Sequence, residues 1–227
     1  HNYNDQQLLD FVNLTLTKMA HGGLFDTLEG GFSRYSVDMK WHVPHFEKML
    51  YDNGQLVSLY ANAYKLTKNP LYKEVIQKTL QFVSDNFLSP EKGFYSALDA
   101  DSINHEGHLE EGAFYVWTKE ELKNILGNDF ELFSNVFNIN DFGHWENQNY
   151  VLIQNQELHQ IASQNNISTA ELATKKRQWE ILLLKHRKKR SQPRLDDKCL
   201  CSWNALMLKG YIEAYKALQD ESYLEVA

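Results

Sequence analysis

The sequence predicts an all-α protein built from helical hairpins that surround a common axis. Three observations predict this fold class. Apolar residues recur every three to four positions in several long segments, which is the pattern of helices with one buried face. One such helical pair is repeated further along the chain. Long loops rich in polar and aromatic residues precede these helices, and such loops converge only if the helices form a ring.

The repeat is exact at eight positions when the chain is shifted by 151 residues. The shift superimposes Asn53, Tyr60, Ala63, Tyr64, Lys65, Tyr72, Glu74 and Val75 on Asn204, Tyr211, Ala214, Tyr215, Lys216, Tyr223, Glu225 and Val226. A helical hairpin with its loop commonly takes roughly 50 residues, so this shift corresponds to about three hairpins. Because the chain stops at Ala227 inside a predicted helix, we expect an excised piece of a larger ring.

Helical periodicity places the elements of the first half. Residues 6 to 20 form a predicted helix that Gly22 and Gly23 close. A proline favours the first turn of a helix, so a long helix is predicted from about Pro44 to Leu66. A second helix, about 71 to 87, follows after a short turn and must lie antiparallel to it.

The second half mixes short strands with helices. Phe94-Tyr95 and the alternating residues 113 to 117 predict two strands on either side of an acidic loop. Thr118 and Ser168, each followed by Glu three residues later, predict helices at 119 to 126 and 169 to 189, with a short helix at 129 to 137 between them. The basic run 185 to 190 is interpreted as a solvated helix end, with anion binding as the less favoured alternative, and a last helical pair begins near Ser202.

Composition excludes several functions. The chain has 227 residues, 23 basic and 30 acidic side chains and a net charge of −7, which disfavours nucleic acid as the main partner. It contains no 18-residue apolar run, so no membrane span is predicted. Cys199 and Cys201 are too close for a C-x-x-C or a structural zinc pair. They are interpreted as reduced small hydrophobes, and we expect a cytoplasmic protein.

The segment 30 to 53 concentrates charged and aromatic residues where the long predicted helix begins. One interpretation is that this helix end opens onto a pocket, with His45, Glu47, Tyr51 and Asp52 around its mouth. The other is that Lys48 and Asp52 form a weak surface ion pair, and that Asn53 makes a buried hydrogen bond to a neighbouring loop. These residues alone leave both interpretations open.

Three blocks of sequence carry a family resemblance. They are GGLFDTLEGGFSRYSVDMKWHVPHFEKMLYDN (22–53), GFYSALDADS with EEGAFYVWT (93–102 and 110–118), and RLDDKCLCSWNALM (194–207). These blocks resemble the YyaL and spermatogenesis-associated protein 20 family, whose members carry a thioredoxin-like domain followed by a helical toroid.

The resemblance implies an (α/α)6 toroid of the six-hairpin glycosidase type, similar to N-acylglucosamine 2-epimerases. Residues 1–227 would be one domain, an incomplete part of that toroid with short β-hairpins in its loops. The family's N-terminal thioredoxin-like domain is absent from this sequence, and in the intact protein we expect it as a partner.

In a ring, the three blocks line one funnel. The predicted catalytic residues are Asp38, His45, Glu47, Asp52, Asp99 and Asp101. The predicted substrate-binding residues are Arg34, Tyr35, Trp41, Glu111, Tyr115, Asp197, Lys198, Trp203 and Asn204. Glycoside hydrolysis needs two carboxylates, and epimerisation beside a carbonyl needs a base such as His with a partner that returns the proton. For any single carboxylate, locking a loop by accepting N–H bonds is the competing role.

No cofactor and no metal are expected. Asp99, Asp101 and Glu110 match positions 1, 3 and 12 of a calcium loop, but Ile103 and Asn104 occupy positions that need an oxygen ligand and Gly. Two pairs of histidines have a spacing that zinc ligands can use, His42 with His45 and His105 with His108. Pro44 prevents the first pair from sharing one helical face, and the second pair lies in an acidic loop, so zinc is not expected.

Two functional hypotheses follow. The first is a carbohydrate-active domain, a sugar epimerase, isomerase or glycosidase, whose ligand is a sugar or sugar derivative. The second is a non-catalytic binding or scaffold module that serves the thioredoxin-like domain. An open cleft in which two carboxylates lie roughly 5 to 9 Å apart favours hydrolysis, and a sealed hydrogen-bonded cluster of Asp38, His45 and Asp99 favours the second.

Overall fold

The computed structural model describes residues 5–227, in which helices are joined by loops that contain very short strands. The helices are α1 (Gln6–His21), α2 (Leu50–Thr67), α3 (Pro70–Phe87), α4 (Lys119–Leu126), α5 (Phe130–Phe137), α6 (Leu158–Gln164), α7 (Thr169–Arg187), α8 (Cys201–Leu218) and α9 (Glu221–Val226). The strands are β1 (Tyr35–Ser36), β2 (Pro44–His45), β3 (Lys48–Met49), β4 (Ala97–Leu98), β5 (Asp101–Ile103), β6 (Leu109–Glu111), β7 (Trp117–Thr118), β8 (Asn149–Tyr150) and β9 (Leu195–Asp196).

The repeated helices α2 and α8 lie side by side and parallel. Tyr51 and Trp203 meet edge to face near their N-terminal ends, with ring centroids 4.7 Å apart. Lys65 donates to Glu213 over 2.7 Å further along both helices. Gly54 permits the close approach, since a Cβ there would lie 2.8 Å from the backbone N of Met207.

Equivalent asparagines, Asn53 in α2 and Asn204 in α8, tie each of these two helices to a loop. Asn53 accepts a hydrogen bond from the Phe32 N–H over 2.7 Å and donates to the Phe32 and Met49 carbonyls. Asn204 repeats this, accepting from the Phe94 N–H over 2.8 Å and donating to the Phe94 and Leu200 carbonyls. The predicted buried hydrogen bond of Asn53 to a loop is therefore confirmed, and the sequence repeat is a structural repeat.

Two large apolar clusters hold the helices together. The first joins α1, α2, α3 and α8, with Tyr60 of α2 donating to the Leu16 carbonyl of α1 over 2.7 Å. The second joins α4 to α7 around Trp117 and Phe133. The predicted caps are confirmed, because the Thr118 and Ser168 hydroxyls accept from the N–H groups three residues later. The mostly helical fold class with short strands in its loops is confirmed.

The predicted start of the long helix at Pro44 is wrong. Residues 44 to 49 are extended, and α2 begins at Leu50. Pro44–His45 pairs with Tyr35–Ser36, and Lys48–Met49 pairs with Ala97–Leu98, both antiparallel. Pairing with strands distant in the chain overrides the local helical pattern, so His45, Glu47 and Lys48 do not share a first helical turn.

The predicted strand at Phe94-Tyr95 is also wrong. Phe94 forms only an isolated antiparallel bridge with Leu88, its backbone N–H and carbonyl are taken by the Asn204 side chain, and the strand begins at Ala97. The acidic loop is itself a hairpin, β5 and β6. Before β7, the Tyr115 and Val116 N–H groups bond to the Gly112 carbonyl, so residues 112 to 116 form a turn rather than a strand.

The basic run at the end of α7 is not simply solvated. Arg187 is 1% exposed and makes two hydrogen bonds to Asp26, of 2.9 and 2.7 Å. Arg190 donates to both carboxylate oxygens of Glu121 and to three backbone carbonyls. The local sequence does not predict the burial of Arg187 and Arg190, because their acceptors lie more than 60 residues away in the chain.

Lys48, the two cysteines and the lengths of the helices bear on the remaining sequence predictions. Lys48 is fully buried and bonds to Asp26 over 2.8 Å, so the alternative of a surface pair with Asp52 is wrong. Cys199 and Cys201 carry free thiols, in agreement with the predicted reduced state, and both residues are exposed. Among residues 5–227, the structure has no helix long and apolar enough to cross a membrane.

Candidate functional site

Three segments that are far apart in the sequence meet at the N-terminal ends of α2 and α8. They form a three-stranded antiparallel sheet, in which β4 lies between β3 and β9. One strand comes from each of the three blocks that carry the family resemblance. This sheet is the feature that gathers the candidate residues.

The segment 44 to 49 separates an open side from a buried side. Alternate residues of an extended chain point in opposite directions. Phe46 and Lys48 point into the protein and are 2% and 0% exposed. His45 and Glu47 point the other way, with side chains 27% and 25% exposed. The open side therefore carries the ionisable groups that a ligand can reach.

His45 is oriented by a carboxylate from the β5–β6 hairpin. Its Nδ1 lies 2.7 Å from Oε1 of Glu111, which also accepts the Phe46 N–H over 3.3 Å. An ionised carboxylate only accepts hydrogen bonds, so Nδ1 carries the proton and Nε2 has the lone pair of the neutral ring. Nε2 lies 3.8 Å from Oε2 of Glu47. A histidine held in this way is arranged to accept a proton at Nε2.

Arg34 and Tyr35 form the next wall of the site. Arg34 donates to Glu47 over 3.1 Å, and its guanidinium lies 6.0 Å from the centre of the Tyr35 ring. The Tyr35 ring stacks on His45, with centroids 5.0 Å apart. The Tyr35 residue is 49% exposed, so its aromatic face is available to a flat or sugar-like ligand.

Asp52 lies in the first turn of α2 and is half-buried. Burial raises the pKa of Asp52 to about 6, although the nearby Arg34 charge acts in the opposite direction. Its Oδ2 atom is buried and has no hydrogen-bond partner within residues 5–227. A carboxyl with such a pKa can hold a proton in mildly acidic solution and release it near neutrality.

Asp99 and Asp101 lie near the same rim. Asp101 is directly opposite Glu111 in the β5–β6 pair, so the two side chains project from the same face of the hairpin. Asp99 lies 3.5 Å from Arg194, and its Oδ1 lies 3.5 Å from the Asp101 N–H. Asp101 thus adjoins the carboxylate that orients His45, whereas Asp99 faces Arg194.

Several predicted site residues hold structure instead. Burial works against ionisation of Asp38, but N–H groups of Val43, His42 and Lys40 donate to its carboxylate and hold its pKa below the ordinary value. The Asn204 side chain is taken up by its bonds to the backbone of Phe94 and Leu200.

The remaining predicted residues lie around the cluster that contains His45, Glu47 and Glu111. Trp41 packs against the first apolar cluster, and its carbonyl accepts the Gly23 N–H. Tyr115 is buried on the inner side of segment 44–49 and stacks on Phe46. Asp197 and Lys198 are exposed, and Lys198 pairs with Asp196 rather than with a member of the site. Trp203 adjoins this cluster through its edge-to-face contact with Tyr51.

The structure therefore gathers Arg34, Tyr35, His45, Glu47, Asp52, Asp101, Glu111 and Trp203. Tyr51, which the sequence already placed at the mouth of the pocket, joins them through its contact with Trp203. Within residues 5–227, no group of three or more His, Cys, Asp or Glu side chains could hold a metal ion.

The fold and this site define the class: a protein of helical hairpins in which the parallel helices α2 and α8 begin beside a cluster of histidine, carboxylates and aromatic rings. Over 233 residues the chain is 38% identical to "Uncharacterized protein B0495.5" of Caenorhabditis elegans, covering 94% of this chain and 32% of that protein. It is 37% identical to human spermatogenesis-associated protein 20, covering 94% of this chain and 30% of that protein. The resemblance is confirmed, and the chain is a homologue of spermatogenesis-associated protein 20.

The chain spans about a third of the length of these curated relatives. No family model matches it. Among solved structures, a D-mannose isomerase aligns with 100% of this chain and 52% of that chain, at 16% identity and a TM-score of 0.38. A cellobiose 2-epimerase from Spirochaeta thermophila aligns with 97% and 51%, at 14% identity and a TM-score of 0.34.

Proposed function

We propose that this domain binds a sugar or sugar derivative and moves a proton on it, as a sugar epimerase or isomerase does. The observation that carries the proposal is the orientation of His45 by Glu111 at 2.7 Å, on the open side of the segment 44–49. A base fixed at one ring nitrogen by a carboxylate and accessible at the other is what proton abstraction beside a carbonyl requires.

The proposed chemistry balances with the residues of the site. His45 Nε2 takes the proton from the carbon next to the carbonyl of an open-chain sugar. The electron pair of that bond forms a carbon–carbon double bond, and the carbonyl oxygen takes a proton from the Asp52 carboxyl. For an epimer, a proton from solvent is added to the opposite face of the same carbon, the enediol hydroxyl returns its proton to the Asp52 carboxylate so that the carbonyl re-forms, and His45 releases its proton to solvent. For an isomer, the His45 imidazolium gives its proton to the former carbonyl carbon, and the hydroxyl on the first carbon gives its proton to the Asp52 carboxylate as the new carbonyl forms there. Glu111 stabilises the imidazolium that forms in between.

Two further features support a ligand site over a sealed structural cluster. Side chains of His45 and Glu47 are about a quarter exposed. Within the described chain, His45 is hydrogen-bonded to neither Asp38 nor Asp99, which bond to their own surroundings instead. The exposed face of Tyr35 and the Tyr51–Trp203 pair supply surfaces on which a sugar ring can stack.

The test is solvent exchange on the sugar. The protein is incubated in D2O with a panel of aldoses, ketoses and disaccharides, and deuterium at the carbon next to the carbonyl is followed by NMR. We expect incorporation that falls by about 10² to 10⁴-fold in His45→Gln, because the base is lost. Glu111→Gln should lower kcat more than it changes KM, since it removes the charge that stabilises the imidazolium.

His108→Gln is the matched control, because His108 lies on the same hairpin as Glu111 with a side chain 75% exposed. Its rate should equal that of the unmodified chain. Sugar binding without deuterium incorporation would contradict the proton transfer and favour the binding module. An absence of binding across the whole panel would reject the sugar site altogether.

A further inference from the structure

His45 lies between two carboxylates, one at each nitrogen of its ring. Nδ1 is 2.7 Å from Oε1 of Glu111, and Nε2 is 3.8 Å from Oε2 of Glu47. The first distance is a hydrogen bond, and the second is too long for one. His45 and Glu47 are two residues apart in an extended segment, so their side chains lie on the same side of the backbone. The Glu47 carboxylate is therefore close to Nε2 without being bonded to it.

The second carboxylate decides whether His45 can act as a base. A ring that donates from both nitrogens to ionised carboxylates must carry both protons, because an ionised carboxylate only accepts hydrogen bonds. Such an imidazolium has no lone pair and cannot take a proton. An opposite charge nearby favours the charged form of a group, and a hydrogen bond to that form favours it further. A closer approach of Glu47 would thus remove the base.

Arg34 holds Glu47 by the oxygen atom that faces the ring. Its Nη1 donates to Oε2 of Glu47 over 3.1 Å, and this is the same oxygen that lies 3.8 Å from Nε2 of His45. Arginine stays charged at every pH at which proteins fold, so the pair is always available. The guanidinium also lies 6.0 Å from the centre of the Tyr35 ring, which stacks on His45. Arg34 therefore competes with His45 for one carboxylate oxygen.

The other charged groups of this side do not replace Arg34. Asp101 lies opposite the glutamate that bonds to Nδ1, and Asp52 lies close enough to Arg34 for that charge to lower its pKa against the effect of burial. Both carboxyl groups favour an imidazolium when they are ionised. Arg194, at the same rim, pairs with Asp99 at 3.5 Å. The neutral ring of His45 thus depends on the cation that holds Glu47.

We propose that Arg34 is a positioning residue, which keeps the lone pair on Nε2 of His45 by holding the Glu47 carboxylate away from it. Glu111 fixes the tautomer of the ring, and Arg34 keeps the ring from becoming doubly protonated. The consequence for catalysis rests on the function proposed above, whereas the state of the ring in the free protein does not. An exposed ion pair without this role would leave the ring unchanged when it is broken.

The direct test measures the protonation of His45 in the free protein, without any sugar. In protein labelled with nitrogen-15 histidine, NMR distinguishes a ring nitrogen that carries a proton from one that carries a lone pair, and His45→Gln identifies the signals. At about pH 7.5, Arg34→Gln should increase the imidazolium fraction of His45 by about three- to tenfold. In a crystal structure of this variant, an oxygen of Glu47 should lie within about 3 Å of Nε2.

Three further variants separate this effect from a general loss of charge at the rim. Arg34→Lys keeps the cation, and it should retain most of the neutral ring because the observed contact uses only one nitrogen. Adding Glu47→Gln to Arg34→Gln removes the competing carboxylate and should return the imidazolium fraction to that of the unmodified chain. Arg194→Gln is the matched control, since it removes an exposed arginine that faces Asp99 instead. It should leave the His45 signals unchanged.

The pH dependence of deuterium exchange reports the same effect on the proposed reaction. Arg34→Gln should lower the rate about tenfold near pH 7.5, because fewer rings carry the lone pair. This loss should disappear at about pH 9.5, where the ring gives up its second proton even beside Glu47. If Arg34 only bound the sugar, its replacement would lower the rate equally at both pH values, and the positioning role would be wrong.

Two NMR results would overturn the inference. One is an imidazolium fraction in Arg34→Gln that equals the fraction in the unmodified chain. The other is a fraction that rises equally with and without Glu47→Gln, since the extra proton would then not depend on that carboxylate. Arg34→Met, which also lacks the charge, makes the same test if Arg34→Gln does not fold. An unmodified chain that exchanges no sugar would reject the proposed function, while the NMR comparison would still decide this inference.

Discussion

The equivalent asparagines Asn53 and Asn204 give a prediction in which the second residue serves as the control for the first. Asn53→Ala removes the acceptor of the Phe32 N–H and the donor to the Phe32 carbonyl, in a place where Asn53 and Phe32 are both 0% exposed. Water cannot replace the lost groups there. With about 1 to 3 kcal/mol for each backbone group left unsatisfied, Asn53→Ala should lower the free energy of unfolding by about 3 to 5 kcal/mol.

Asn204→Ala breaks the same set of bonds, to Phe94, but Asn204 is only partly buried. Water reaches the exposed groups, so we expect a loss of about 1 kcal/mol. Urea unfolding followed by circular dichroism measures both variants under one condition. Equal losses, or a larger loss for Asn204→Ala, would show that burial of the Phe32 loop does not set the strength of this attachment.

Two further predictions concern pH and packing. Burial raises the pKa of Asp52 to about 6, so the stability that its protonated form contributes is present below pH 4 and is lost as the pH rises through 6. Asp52→Asn should therefore remove ~1 kcal/mol of the change in unfolding free energy between pH 4 and 7, after allowance for solvent screening. Urea unfolding across that pH range measures this change. An unchanged dependence of the unfolding free energy on pH would contradict the prediction. Gly54→Ala puts a Cβ within 2.9 Å of Leu206 backbone atoms and should cost about 2 kcal/mol or more, measured by thermal unfolding; a neutral effect would show that α2 and α8 can separate freely.

Helices and their caps could be predicted because their signals are local. Thr118 and Ser168 cap helices through N–H groups only three residues away, and α1 and α3 follow the apolar period of their own residues. The repeat also predicted that Asn53 and Asn204 have equivalent places. A single sequence contains all the information that such short-range contacts require.

The extended segment 44–49 could not be predicted in this way. Pro44 and the apolar spacing after it favour a helix, but pairing with residues 35–36 and 97–98 keeps the backbone extended. In an extended backbone, neighbouring side chains point to opposite sides, so Lys48 is buried while His45 lies on the open side. Strand pairing between distant segments depends on the whole chain and leaves no periodic signal in a six-residue stretch.

The sequence by itself determined the helical hairpins, the repeat, the family resemblance and the residue types of the candidate site. Only the tertiary structure decided which of those residues meet: His45 with Glu111, Asp38 with its own loop, and Tyr115 with a buried ionic cluster. The physical reason is that His45 and Tyr115 take their direction and burial from partners more than 60 residues away in the chain, whereas Asp38 is held by N–H groups of its own loop. These partners are set by the packing of the helices and the sheet that joins the three blocks, and no local pattern specifies them.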